Sequence, residues 1–146
     1  MRKAQTERKT KETDIALSLT LEGSGTPNVT TGVGFFDHML ELLTVHSGMD
    51  INLSCKGDLQ VDAHHTVEDV GIALGDWVRQ ALGDKKGIAR FADRLVPMDE
   101  TAAQVAVDFS GRAALIFPDR LSGKVGSFDL ELIEEFLRAF SAHAGC

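Results

Sequence analysis

The chain has 146 residues, of which 43% are apolar and 25% charged, and its net charge is -7 at neutral pH. A chain of this size makes one domain that buries about two thirds of its unfolded surface, and the composition is that of a globular protein. The acidic balance argues against a nucleic-acid partner, which would ask for a basic face. No apolar run reaches the roughly 20 residues that span a bilayer, and an apolar signal core is missing at the N-terminus, so a cytoplasmic protein without a membrane partner is expected.

Arg2 to Lys11 is basic but interrupted by Glu7, as in a solvated N-terminal strand. Over residues 14–21, Ile15, Leu17, Leu19 and Leu21 alternate with smaller or polar residues, the pattern of a half-buried strand. A Gly-Ser-Gly-Thr-Pro turn and a second strand over residues 28–31 predict a hairpin. The Gly32-Val33-Gly34 that follows lacks the third glycine of a nucleotide loop and reads as a turn. A helix is expected over residues 36–47, stopped by Gly48. Residues 49–61 read as two short strands around Lys56-Gly57-Asp58.

The most informative segment is His64-His65-Thr66-Val67-Glu68 at the start of an amphipathic helix running to about Leu82. Val67, Val70, Leu74, Trp77, Val78 and Ala81 form its apolar stripe. On a helix His64 and Glu68 are i,i+4 neighbours, and His65 and Glu68 are i,i+3 neighbours, so imidazole and carboxylate gather at one end. That donor set suits Mn, Fe or Zn better than Ca or Mg. The competing reading is a solvated polar helix start. Further on, strands are predicted over residues 104–109 and 113–116, a loop around Pro118, and a helix over residues 129–142. Cys55 and Cys146 form no recognisable framework and are expected to be reduced thiols.

This order looks like the first half repeated. Residues 37–48 lie without gaps on residues 134–145, with Leu40/Leu137, His46/His143 and Gly48/Gly145 identical. The reading is therefore a first repeat over residues 1–87 and an incomplete second repeat over residues 88–146, together one compact domain. A second His-His-x-x-Glu would begin about 15 residues past Cys146, so the chain is expected to be a C-terminally truncated fragment.

Five ordered blocks carry a more specific resemblance: Lys11-Glu12-Thr13, Phe36-Asp37-His38-Met39-Leu40, Asp62 through Asp69, Pro97-Met98-Asp99-Glu100, and Asp108-Phe109-Ser110-Gly111-Arg112. Together they resemble the imidazoleglycerol-phosphate dehydratase family of histidine biosynthesis, along essentially the whole chain. The resemblance implies an α+β fold of duplicated sheet-and-helix repeats (ribosomal protein domain 2-like), with helices packed between two mixed sheets. It implies a hydro-lyase that converts imidazole-glycerol phosphate to imidazole-acetol phosphate through a metal-bound imidazolate. It also implies two Mn2+ ions per site, and self-association into trimers and a 24-subunit shell with active sites between subunits.

Carried onto this chain, the resemblance gives His38, His64, His65 and Glu68 as metal ligands. Glu135 stands where a second-repeat ligand falls, and is either a ligand or one of a surface Glu134-Glu135 pair. Glu12, His38, Arg90 and Arg112 become substrate contacts, and Glu12, His64 and Glu68 carry the catalysis, Glu12 as the proton shuttle. Without the resemblance, Arg90 and Arg112 read as surface ion-pair partners, with Asp93 and Arg94 close to Arg90. Asp62 or Asp69 is expected to orient the imidazoles. His46, on a stripe with Met39, Leu42 and Leu43, reads as a core-facing histidine, and His143 as its structural counterpart. The competing functions are a metal-dependent hydrolase and, for a chain lacking half its ligands, an inactive, metal-poor assembly unit.

Overall fold

The computed structural model describes residues 1–118 and 120–146, the side chain of Thr6 excepted; Asp119, in the loop expected around Pro118, lies outside the described residues. In chain order the elements are β1 (Lys3–Lys9), β2 (Thr13–Thr20), β3 (Pro27–Thr30), α1 (Gly34–Ser47), β4 (Asp50–Gly57), α2 (His64–Leu82), β5 (Phe91–Met98), β6 (Thr101–Asp108), β7 (Lys124–Val125), β8 (Phe128–Asp129) and α3 (Leu132–Ala144). The first four strands make a mixed sheet in the order β1-β2-β4-β3.

Alternation along the two central strands decides which face is covered. β2 buries Ile15, Leu17 and Leu19, and β4 buries Ile51, Leu53 and Cys55, while Ala16, Asn52 and Ser54 face outward. One face is therefore apolar and packed under helices, the other solvated. α2 lies on that face with Val67, Val70, Leu74, Trp77, Val78 and Ala81 all buried, so the stripe read from the sequence is the one the fold uses.

α3 packs along α2, and the approach is close because Gly71 and Gly75 leave room for its backbone. A Cβ at Gly75 would stand 2.6 Å from Phe140 O, and one at Gly71 would stand 2.9 Å from Phe136 O. Phe128 of β8 is buried under α1, its ring centroid 5.1 Å from Phe35 and 6.3 Å from Phe36, and Phe136 of α3 meets Phe36 edge-on at 5.5 Å. These aromatic contacts tie the second part of the chain to the first.

Several expectations are corrected. β3 does not close a hairpin with β2. It pairs parallel with β4, with α1 as the crossover, and the antiparallel hairpin is β1-β2. A four-residue strand carries a period but nothing that names its partner. Residues 49–61 contain the single strand β4, not two. Residues 113–116 form no strand; their backbone is held by the end of α3, with Ala114 N donating to Cys146 O at 3.0 Å and Ser141 Oγ to Ala114 O at 3.1 Å. His46 is exposed: α1 buries Phe36, Leu40 and Thr44, and its Met39, Leu42, Leu43 and His46 face points away from the sheet. The C-terminal stop at Gly48 is as expected, and α3, expected to end near residue 142, runs to Ala144 and is closed by Gly145; both glycines adopt the left-handed conformation, at φ 72° and 70°.

Candidate metal and substrate site

α2 begins at His64, whose backbone N–H donates to Asp62 Oδ1 at 2.8 Å. Asp62 thus serves the helix start and not an imidazole nitrogen. One turn on, His64 Nε2 and Glu68 Oε2 are 3.6 Å apart, as the i,i+4 spacing required. His65 stands edge-on to His64, their ring centroids 6.0 Å apart. Its Nδ1 lies 2.9 Å from Asp58 Oδ2.

That contact raises the His65 pKa, the hydrogen bond that the ring donates to Asp58 being the largest cause, partly opposed by burial and reinforced by the charges of Asp58, Glu12 and Asp62. The Glu12 carboxylate thus acts on His65 in the same direction as Asp58. Asp58 is the orienting carboxylate, in place of the expected Asp62 or Asp69. The sequence offered for it only an acidic residue seven positions upstream of His65. Asp58 Oδ1 is buried without a hydrogen-bond partner, as is the Thr66 hydroxyl beside it in sequence from His65.

The other expected ligands are placed apart from this group. His38 is exposed on α1, and Glu135 is half-buried on α3. Glu134, its neighbour, pairs with Arg138 one turn along. Among the described residues no three His, Cys, Asp or Glu side chains converge as a metal-binding group. For a divalent metal the donors fit in chemistry and in part in geometry. Asp58 on Nδ1 leaves His65 Nε2 free to face a cation, the carboxylate–histidine arrangement that orients metal ligands, and His64 and Glu68 stand ready beside it. His143 is a structural residue as expected, its Nδ1 3.0 Å from Asp76 Oδ1, which also accepts from Arg79.

Arg90 grips Asp108 with both branches of its fork, Nε to Oδ1 at 2.7 Å and Nη2 to Oδ2 at 3.1 Å. The partner is Asp108, not Asp93. The Arg90 hydrogen bond holds the Asp108 carboxyl below its usual range, and the charges of Arg112 and Lys85 push the same way. Lys85, which sequence reasoning passed over, donates to Phe109 O at 3.2 Å. Arg90 is thus the cation that holds this carboxylate at the foot of β5-β6, with the charges of Arg112 and Lys85 acting on it as well.

The family description "Imidazoleglycerol-phosphate dehydratase" matches residues 31–146. The protein of that name from Oceanobacillus iheyensis is 54% identical over 145 residues, covering 99% of this chain and 75% of the relative. One from Rhodopseudomonas palustris is 55% identical over 146 residues, covering 99% of this chain and 74% of the relative. The crystal structure of the Staphylococcus aureus dehydratase superposes with a TM-score of 0.86 at 41% identity, covering 98% of this chain and 79% of that one. A Pyrococcus furiosus structure superposes with a TM-score of 0.80 at 29% identity, covering 95% of this chain and 74% of that one. Both neighbours are consistent with a duplicated α+β fold. By sequence and by fold, the chain belongs to the imidazoleglycerol-phosphate dehydratase family of enzymes.

Proposed function

We propose that this chain is a hydro-lyase of histidine biosynthesis that removes water from imidazole-glycerol phosphate to give imidazole-acetol phosphate. The observation that supports the reading is the start of α2, where His64 stands 3.6 Å from Glu68 and edge-on to His65, with the charge of Glu12 acting on His65.

His64, His65 and Glu68 would hold a divalent metal, preferably Mn2+ for this mixed nitrogen and oxygen set. His38 and Glu135 would complete coordination across a contact between copies, since the donors of one chain do not converge. A bound metal supplies Lewis-acid polarisation of the substrate's imidazole nitrogens, which a base acting alone cannot replace on a carbon with no adjacent carbonyl. Arg90 and Arg112 would fix the phosphate; Arg90 must share or exchange Asp108 to do so. Glu12 would take the proton from the carbon next to the one that loses its hydroxyl, and return one as the enol becomes the ketone. The hydroxyl leaves with a proton as water.

Replacing Glu12 by Gln tests the assignment: formation of the ketone product should fall by about 10²–10⁴-fold, while Mn2+ affinity stays at the wild-type value. Unchanged turnover removes Glu12 from the mechanism.

A further inference from the structure

Asp69 follows Glu68 directly, yet it takes no part in the histidine cluster. Its residue is 8% exposed, and its carboxylate is held by the β1-β2 hairpin. Arg8 donates to Oδ1 from Nη2 at 2.9 Å and from Nε at 3.3 Å. Thr13 Oγ1 makes a short hydrogen bond to Oδ2, and Thr10 Oγ1 lies 3.4 Å from the same oxygen. Thr10 Oγ1 in turn accepts the backbone N–H groups of Glu12 at 3.1 Å and Thr13 at 2.9 Å, and Thr10 N donates to Thr13 O at 2.8 Å. A continuous chain of hydrogen bonds therefore runs from the first turns of α2 to the amide of Glu12.

Adhesion alone does not explain this arrangement. An apolar contact would hold the hairpin to α2 as well as a buried ion pair, whose desolvation offsets most of its attraction. A carboxylate with four donors does something an apolar contact cannot: it fixes distance and direction. We infer that Asp69 is a positioning residue, which through Thr10 and Thr13 sets the backbone of Glu12 at a fixed place relative to the histidine end of α2. What Glu12 does there rests on the dehydratase reading above; where it is held does not.

The test uses Asp69→Asn, which keeps the shape and removes the charge, and the pair Thr13→Val and Thr13→Ser. Backbone amide exchange at Glu12 and Thr13 should quicken by about tenfold or more in D69N and T13V, with the rest of β2 and the middle of α2 unchanged. In the Mn2+-loaded protein kcat should fall by about 100-fold while KM and Mn2+ affinity hold, as expected when a catalytic group is misplaced by about 1 Å. T13S, which keeps the hydroxyl, should retain wild-type exchange and kcat. Wild-type exchange at Glu12 in a folded D69N or T13V protein would overturn the inference, and so would a fall confined to KM. Should D69N fail to fold, the Thr13 pair decides the question. A wild-type chain that neither turns over nor binds Mn2+ sinks the dehydratase reading, and the exchange measurements still decide whether Asp69 positions the turn.

Discussion

A carboxylate on one imidazole nitrogen decides which nitrogen is left for a metal, and Asp58 makes that choice for His65. Removing it frees the ring to rotate and to change tautomer. Asp58→Ala should therefore weaken Mn2+ binding by about 10–100-fold, with Asp58→Asn intermediate because its amide oxygen still accepts from Nδ1–H. Calorimetric titration with circular dichroism as a check on folding measures this; equal affinity in wild type and D58A would show that the contact orients nothing. The approach of His64 to Glu68 was legible because helical spacing dictates it. Asp58 was not, because it sits in the strand-to-helix connection, where no period applies. A second residue-scale consequence concerns Cys55. Burial, with smaller contributions from the charges of Asp69, Asp14 and Asp37, pushes its thiol up to about 11. The fold thus favours the neutral thiol. Stability is intact below the unfolded thiol's pKa of about 8.5 and erodes as pH rises from there towards 11, where the unfolded chain ionises and the folded one does not. Iodoacetamide at pH 8 should leave Cys55 unmodified in the native protein and alkylate it in urea, as peptide mass mapping would show.

At the scale of elements, the seam between α2 and α3 joins the two parts of the chain, and it depends on two small residues one turn apart. A Cβ on Gly75 would meet Phe140 O at 2.6 Å, His143 Cβ at 2.8 Å and Ala144 N at 3.0 Å. Two of these are backbone atoms, so relief requires α3 to move as a body. Gly75→Ala gains about 1 kcal/mol of helix propensity, but overpacking costs about 1–3 kcal/mol. The backbone clash puts it at the upper end, and the net result should be a lower urea midpoint. An unchanged or raised midpoint would mean the helices have slack at this crossing. The helices themselves were readable, since α1 and α2 carry apolar stripes and α1 and α3 end at glycines. Their assignment to faces was less so. On α1 two stripes compete, Phe36-Leu40-Thr44 and Met39-Leu42-Leu43-His46, and the second is the more apolar run by eye. The sheet takes the first, with Phe36 joining the Phe128 and Phe136 rings. Partner choice for β3 was hidden for a related reason: pairing parallel to β4 is a property of the whole crossover, not of four residues.

Over the whole molecule, apolar surface is distributed unevenly. β1-β4 and α2 form a finished core, whereas β5 and β6 leave Phe91, Leu95, Val96, Met98 and Val105 each more than half exposed, and α1 leaves Met39, Leu42, Leu43 and Val45 uncovered. Contiguous apolar surface on this scale marks a contact with another polypeptide. The two edges of the β5-β6 hairpin differ in kind. β5 carries Asp93, Arg94 and Pro97, residues that blunt an edge, while β6 runs Thr-Ala-Ala-Gln-Val-Ala-Val before its first charge at Asp108. An unprotected strand edge of that composition is a template for further strand pairing. The chain should therefore self-associate in the micromolar range, through contacts that added salt does not weaken, because burial of apolar surface and not ion pairing drives them. Val105→Lys places a charge on that edge without touching the α2 core, and should weaken association by about tenfold or more while leaving the thermal midpoint of the monomer unchanged. Sedimentation velocity across a dilution series, at low and high salt, reads both effects. A chain that stays monomeric at about 100 μM would refute the association itself, whereas a V105K variant that associates as tightly as wild type would place the exposed hairpin outside the contact and leave the α1 face as the surface that another copy covers.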